Sequence, residues 1–322
     1  MADSPVGTEL SVVIPAYNEE ESVIPMYERL VAALDDVVDE LEILFVDDGS
    51  HDRTWERVAE LSKRDGRVRG LRFARNFGHQ AALTAGVDAA RGRAVVIIDG
   101  DLQDPPEVIP EMVEKWRDGA EVVYAQRQER EGETVFKKTT AAGFYRLLAR
   151  ITNVEIPVDT GDFRLMGPRA VEAFRALPER NRFIRGLVSW IGFRQEAVSY
   201  RRQARYAGDT KYPLRHMVRF ALDGITSFSF LPLRLATLLG FVVSLFSFVY
   251  IVVVIVLKLL GINWPGYTSM MASILFLGGV QLVMIGILGE YIARIFDEVK
   301  RRPLYLVGDS TDGETGVVPP ER

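Results

Sequence analysis

The stretch Ile97-Ile98-Asp99-Gly100-Asp101-Leu102-Gln103-Asp104 ends an apolar run with several carboxylates and an amide oxygen inside about one turn of chain. Oxygen donors grouped in this way suit a hard divalent cation such as Mg2+ or Mn2+, and Asp101 and Gln103 are the expected direct ligands. A cation there would cancel charge on a diphosphate and stabilise it as a leaving group. The competing use of such a turn is to cap the helix that Pro106 opens.

Two further acidic turns follow apolar runs. In Asp47-Asp48-Gly49-Ser50, Asp52 is placed to cap the next helix, and Asp48 to accept hydrogen bonds from a base or ribose. In Pro15-Ala16-Tyr17-Asn18-Glu19-Glu20, backbone N–H groups, the Tyr17 ring and the Glu19 carboxylate can frame a nucleoside. Alternatively, Pro15 marks a strand end and Glu19 is an acid at a helix N-terminus. Asp159–Asp162, in Asp159-Thr160-Gly161-Asp162-Phe163-Arg164, reads as an acidic turn, and Arg201, Arg202, Arg205 and Lys211 form a basic cluster suited to a phosphorylated ligand or anionic headgroups.

Composition restricts the alternatives. The chain has no cysteine, which excludes disulfides, thiolate nucleophiles and Cys-ligated metals, and its 3 histidines are scattered. Chemistry must come from carboxylates and cations. A formal charge of -5 argues against a nucleic-acid partner. No phosphate-binding GxGxxG or GxxxxGK pattern occurs, and the N-terminal nine residues lack the basic and apolar regions of a signal peptide.

Short apolar runs at Leu10–Ile14, Ile43–Val46, Val68–Phe73, Val95–Ile98 and Val122–Ala125 alternate with helical stretches at Glu19–Asp36, Asp52–Arg64, His79–Ala90 and Pro106–Asp118. That alternation predicts an α/β domain with a mostly parallel, helix-covered sheet over residues 10–212, after a flexible 1–9. Ligands of such sheets bind beyond the carboxyl ends of the strands, where the three acidic turns should converge. A further helix is expected near Asn181–Gly192.

The C-terminal third belongs to a different solvent. No charged residue occurs between Arg234 and Lys258, nor between Lys258 and Glu290. Each interval exceeds the roughly 20 apolar residues that cross a bilayer core, so spans are expected at 233–257 and 267–290. Arg234, Arg294, Lys300, Arg301 and Arg302 flank the pair against Lys258 alone in the connecting loop, which places both termini in the cytoplasm. Residues 213–232 have an amphipathic pattern that fits an interfacial helix, and 291–322 form a cytoplasmic tail, disordered from Gly308 onward. Gly240 and Ser244 make a small-xxx-small pair on the first span, consistent with helix packing and a homo-oligomer.

With these motifs in this order, the chain resembles family 2 glycosyltransferases of the GT-A (Rossmann-like) fold, in the polyprenyl-phosphate, dolichol-phosphate mannosyltransferase-like branch. The resemblance covers nearly the whole chain: PAYNEE, VDDGSHDRT, ARNFGHQAAL, DGDLQDPP, DTGDFRLM, RYAGDTKY, the two spans and LGEYIARIF. It implies that Pro15, Tyr17, Glu19, Val46 and Asp48 contact the donor nucleotide, Asp99 and Gly100 the diphosphate-sugar, and Asp101 and Gln103 the metal. It makes Arg127, Arg205 and Lys211 the phosphate-handling cations. Asp162 falls where inverting relatives carry an acceptor-side carboxylate. A phosphomonoester acceptor, with a second pKa of about 6, needs little deprotonation, so Asp162 is expected to position more than to remove a proton.

The implied reaction joins a nucleotide sugar to a polyprenyl phosphate in the membrane. UDP-glucose is the favoured donor because the DGDLQDPP form and two-span tail look more like bacterial undecaprenyl-phosphate glucosyl- and aminoarabinosyl-type transferases. GDP-mannose is the alternative donor, and a non-catalytic nucleotide-sugar-binding scaffold the alternative class. A processive polysaccharide synthase would need a QxxRW-like motif and more spans.

Overall fold

A computed structural model describes residues 8–127, 160–179, 182–201, 231–261 and 266–313. The chain divides into two compact units, residues 1–219 together with 302–322, and residues 220–301.

In the first unit the elements run β1 (Leu10–Ala16), α1 (Val23–Leu34), β2 (Leu41–Asp47), α2 (Thr54–Arg64), β3 (Val68–Phe73), α3 (His79–Ala89), β4 (Ala94–Ile97) and α4 (Ile109–Arg117). β5 (Val122–Arg127), β6 (Thr160–Met166), α5 (Pro168–Ala176), α6 (Ile184–Trp190) and β7 (Gln195–Tyr200) follow, and β8 (Val307–Ser310) completes the unit. The sheet order is β7-β5-β6-β4-β1-β2-β3-β8. β4, β1, β2 and β3 are mutually parallel, while β6 runs antiparallel to both of its neighbours and β8 antiparallel to β3.

Every residue of β1 and β2 is buried, because helices cover both faces of the sheet; this is why these strands read as unbroken apolar runs. The core on one face gathers Val12, Ile14, Ile43, Phe45, Val96 and Phe163 against Met26, Leu30 and Met112 of the helices. Residues read as an acidic turn at Asp159–Asp162 are, from Thr160 on, the start of β6. Its polar residues Asp162 and Arg164 are buried, so the strand alternates in sequence but not in burial.

The disorder expected from Gly308 does not hold for 308–313, which form an ordered edge. β8 pairs Leu71 with Ser310 and Arg72 with Asp309. Tyr305 stacks on Phe73 with centroids 5.1 Å apart and donates to Asp88 at 3.4 Å. Asp312 accepts from Arg69 at 2.6 Å and Arg91 at 3.0 Å, and Arg69 also pairs with the buried Glu42. Tyr305→Ala should therefore lower unfolding stability by about 3–5 kcal/mol, as for loss of a buried aromatic, and thermal melting of the detergent-solubilised protein measures it.

The second unit contains α7 (Leu231–Leu259) and α8 (Tyr267–Lys300). Both are long and apolar enough to cross a membrane, over Leu233–Leu259 and Ser269–Lys300. The better-covered positions of α7 include Leu233, Ala236, Gly240, Val243 and Ser247; those of α8 include Ser273, Leu277, Val280, Met284, Ile287, Tyr291 and Arg294. Alternating steps of three and four are the signature of two helices packed along a shallow left-handed seam. At Gly240 an added Cβ would lie 2.9 Å from Met284 Cε, so glycine there admits its hairpin partner. Ser244 lies on the side of α7 turned away from α8, so within the hairpin only Gly240 of the pair meets the partner helix. The expected interfacial helix 213–232 lies outside the described residues up to 230.

Candidate active site

Parallel pairing fixes where the acidic turns go. Pro15 is opposite Val46 and Ala16 opposite Asp47, so the turns after β1 and β2 leave the sheet side by side. They are stitched together: Asn18 N–H donates to Ser50 Oγ at 2.9 Å, Glu19 N–H to Thr54 Oγ1 at 2.9 Å, and His51 N–H to Asn18 Oδ1 at 2.9 Å. Asp52 accepts from the Thr54 N–H at 3.1 Å, the capping role expected of it. Tyr17 is half-buried and edge-on to His51. Glu19 accepts from the Ser22 hydroxyl at 2.8 Å in the turn before α1, whose first turn carries no acid, so the expected acid at the helix start is not on the helix.

Two donor-side expectations change on this geometry. Val46 is 0% exposed inside β2, so its side chain belongs to the core and offers no surface to a ligand. Asp48 is 4% exposed, and its carboxylate accepts from Phe77 N–H at 2.7 Å and Gly78 N–H at 3.0 Å. Its visible task is to hold the loop entering α3. Gly49, at φ +68, lets that loop approach; a Cβ there would lie 2.6 Å from the Arg75 carbonyl carbon.

Beyond β4 the chain alternates: Asp101 and Gln103 are half-buried, whereas Leu102 and Asp104 are buried. Leu102 adopts φ 58, a left-handed turn that reverses the chain between the two expected ligands, and the Gln103 N–H donates to Asp101 Oδ1 at 3.1 Å. Among the described residues no group of three or more His, Asp or Glu is disposed to chelate a metal. A carboxylate and an amide in one turn instead fit a cation shared with a ligand's diphosphate oxygens, the habit of Mg2+-type sites. Gly100 is buried, and the close approach of β1 leaves no room for a side chain there: a Cβ would lie 2.9 Å from the Pro15 carbonyl oxygen.

Antiparallel β6 places Arg164 opposite Ile97, which carries Thr160–Asp162 past the end of β4 and alongside Asp99. There Asp162, 3% exposed, is gripped by two residues that motif reading did not single out. Arg185 of α6 donates to both its oxygens, at 2.9 and 3.1 Å, and His79 Nε2 lies 3.3 Å from Oδ2. His79 Nε2 also stands 3.6 Å from Asp99 Oδ1. Gln80 accepts the Ile184 N–H at 3.1 Å and so links the helices carrying His79 and Arg185. The buried Arg164 donates to the carbonyls of Gly161 at 3.0 Å and Asp162 at 3.4 Å.

The electrostatics follow from this packing. Burial disfavours the ionised Asp162, but Arg185 and His79 outweigh it and hold the carboxyl well below its usual range. Burial likewise opposes a charged His79, yet the Asp162 hydrogen bond and the charges of Asp99 and Asp162 raise it to about 9. Asp99 is pushed up to about 6 by burial, with His79 pulling the other way and Asp162, Asp104 and Asp101 adding repulsion. Burial lowers Arg164 to about 10, which leaves it charged at neutrality.

At the neighbouring strand ends Arg127 Nε donates to the Tyr200 hydroxyl at 3.0 Å, and that hydroxyl donates in turn to the buried Asp104. Arg127 Nη2 lies 3.8 Å from Asp104 and would be 2.8 Å from a Cβ at Gly161. The turn beyond β4, β5, β6 and β7 are thereby joined at one edge. Arg205 and Lys211 lie outside the described residues.

Residues 11–174 match glycosyl transferase family 2, and residues 231–295 match the GtrB C-terminal hairpin. The chain belongs to glycosyl transferase family 2. This glycosyltransferase is 51% identical over 303 residues to YkcC of Bacillus subtilis (strain 168), named an uncharacterized glycosyltransferase, with 94% of each chain covered. It is 46% identical over 307 residues to the SfII prophage-derived bactoprenol glucosyl transferase of Shigella flexneri, covering 95% of this chain and 99% of that one. The crystal structure of a mycobacterial protein superposes with a TM-score of 0.50 at 21% identity, over 68% of this chain and 73% of that one, a likeness of fold alone. The family 2 glycosyltransferase thus has the GT-A fold and two C-terminal helices apolar enough to span a membrane.

Proposed function

We propose that the enzyme transfers a sugar, glucose from UDP-glucose first, to the phosphate of an undecaprenyl-type polyprenyl phosphate at the cytoplasmic membrane face. The observation that carries this reading is the convergence of Asp99–Gln103, Asp162, His79, Arg185 and Arg127 on one sheet edge, in a chain that also bears the two membrane-compatible helices. The bactoprenol glucosyl transferase relatives support the acceptor, and the excess of cations flanking the helices supports the orientation.

In this reading an acceptor phosphate oxygen attacks the anomeric carbon, the bond from that carbon to the nucleoside diphosphate breaks, and the configuration inverts in one in-line displacement. A divalent cation held by Asp101 and Gln103 supplies charge neutralisation of the departing diphosphate when bound. Asp162 is a poor base in its double ion pair, and the acceptor, largely a dianion near neutrality, does not require one. Its part is to hold Arg185 and His79 in place. Arg127, with Arg205 and Lys211 of the basic cluster, offsets the repulsion between two phosphorylated substrates. Confinement of enzyme and acceptor to one surface provides proximity.

The test is incorporation of radiolabelled sugar into organic-extractable lipid by purified enzyme, polyprenyl phosphate and a panel of nucleotide sugars. UDP-glucose should outperform GDP-mannose; no labelled lipid with any donor would refute the reading.

A further inference from the structure

His79 opens α3 behind Gly78, whose φ of 101 turns the chain into the helix, and Asp48 pins the two preceding amides. One ring nitrogen, Nε2, faces two carboxylates, Asp162 at 3.3 Å and Asp99 at 3.6 Å. No other group among the described residues hydrogen-bonds the ring, and Nδ1 is not among the buried polar atoms without a partner. The side chain is 37% exposed, more than a purely internal pin requires.

Among the described residues, the charged groups around the ring are Asp99 from the end of β4, Asp162 from β6, Asp48 from beyond β2 and Arg185 from α6. Three carboxylates against one guanidinium favour the imidazolium, in which both nitrogens donate. Two carboxylates alone would repel an incoming phosphate; a cation lodged between them removes that repulsion and leaves Nδ1–H as a donor that neither carboxylate uses.

We propose that His79 is a catalytic residue: a fixed imidazolium whose Nε2–H is held by Asp162 and Asp99 and whose Nδ1–H is presented to a substrate phosphate oxygen. The inference rests on the phosphate-transfer reading given under the proposed function. The phosphate belongs either to the donor diphosphate or to the lipid acceptor, which share the chemistry that Nδ1–H recognises.

His79→Gln keeps much of the bulk and removes the charge; His79→Lys restores the charge. Full-length variants in detergent would be compared for UDP binding by calorimetry, for kcat and KM toward each substrate, and for ring 1H–15N resonances, which with 3 histidines in the chain are assignable by difference. His79→Gln should lose about 10- to 100-fold in kcat/KM, the scale of one charge-assisted hydrogen bond, with partial recovery in His79→Lys. Weaker UDP binding and a UDP-induced Nδ1 shift in the wild type assign the donor diphosphate. A KM rise confined to the lipid phosphate, with UDP binding unchanged, assigns the acceptor. Wild-type kcat/KM for both substrates in His79→Gln overturns the proposal, as does a loss that moves neither KM nor UDP binding and leaves Nδ1 unshifted by either ligand. If the wild type makes no lipid-linked sugar, the transfer reading fails, while UDP binding and the ring resonances still decide whether His79 meets a phosphate.

Discussion

Asp101→Ala is expected to lower sugar transfer to polyprenyl phosphate on the order of 10^3-fold at saturating Mg2+ or Mn2+, a barrier increase of about 4 kcal/mol. The turn beyond β4 offers one carboxylate and one amide for the cation, with Leu102 and Asp104 turned inward between and after them. Without the carboxylate, the remaining amide dipole cannot hold a cation against water, and the diphosphate departs with its charge uncompensated. Gln103→Ala should cost less, because a neutral donor contributes less to a divalent ion than a charged one. Asp101 is half-buried, so the variant should melt close to the wild type. Labelled lipid formed by Asp101→Ala at the wild-type rate would remove the metal assignment.

A stability loss as large as that of Tyr305→Ala is expected for Asp162→Ala. It strips the shared counter-charge from Arg185 and His79 and leaves the buried Arg164 with carbonyl partners only. Breaking a buried pair by removing one partner costs about 3–5 kcal/mol, since the remaining charges keep their desolvation penalty. The pH dependence has a defined sign. His79 is raised from 6.5 to about 9, so its contribution is complete below about pH 6.5 and is lost as pH rises through 9. Asp162 is depressed, so its contribution is present above its ordinary value near 3.8 and is lost as pH falls below it. The stability difference between wild type and Asp162→Ala should thus be widest between about pH 4 and 6.5 and shrink toward pH 9. Melting curves across that range that differ by a constant amount would show that the cluster is not what Asp162 stabilises.

The elements that place this chemistry were legible where one physical signal dominated. Strands buried on both faces, such as Leu41–Asp47, leave continuous apolar runs, and amphipathic helices such as Thr54–Arg64 leave a regular stripe. The acidic turns were legible because a turn tolerates only certain residues and a cation only certain donors. Legibility failed where long-range pairing pays for polar burial. Thr160–Met166 carries Asp and Arg in a strand core, and only the arrival of Arg185 and His79, 23 and 83 positions away in sequence, makes that stable. Asp48 illustrates the converse: its type suited a nucleoside, but backbone amides 29 and 30 positions on reach it first. His79 gave only a weak signal, a ring at a helix start just after a glycine, and nothing local tells which carboxylates will surround it. The ordered tail was hidden because Gly308–Gly313 is polar and glycine-containing; its order comes from the β3 ladder and from Arg69 and Arg91.

The return of the tail to β3 makes the apolar hairpin an insertion within the catalytic unit. During synthesis, β3 waits with an unpaired rim while both greasy helices are made, because its last neighbour emerges after them. An open strand rim invites the wrong partner, so maturation of the sheet is tied to the hairpin's delivery into lipid. Chains stalled between the two events would carry an unsealed flank at β3, and those are the species that quality-control proteases should meet first.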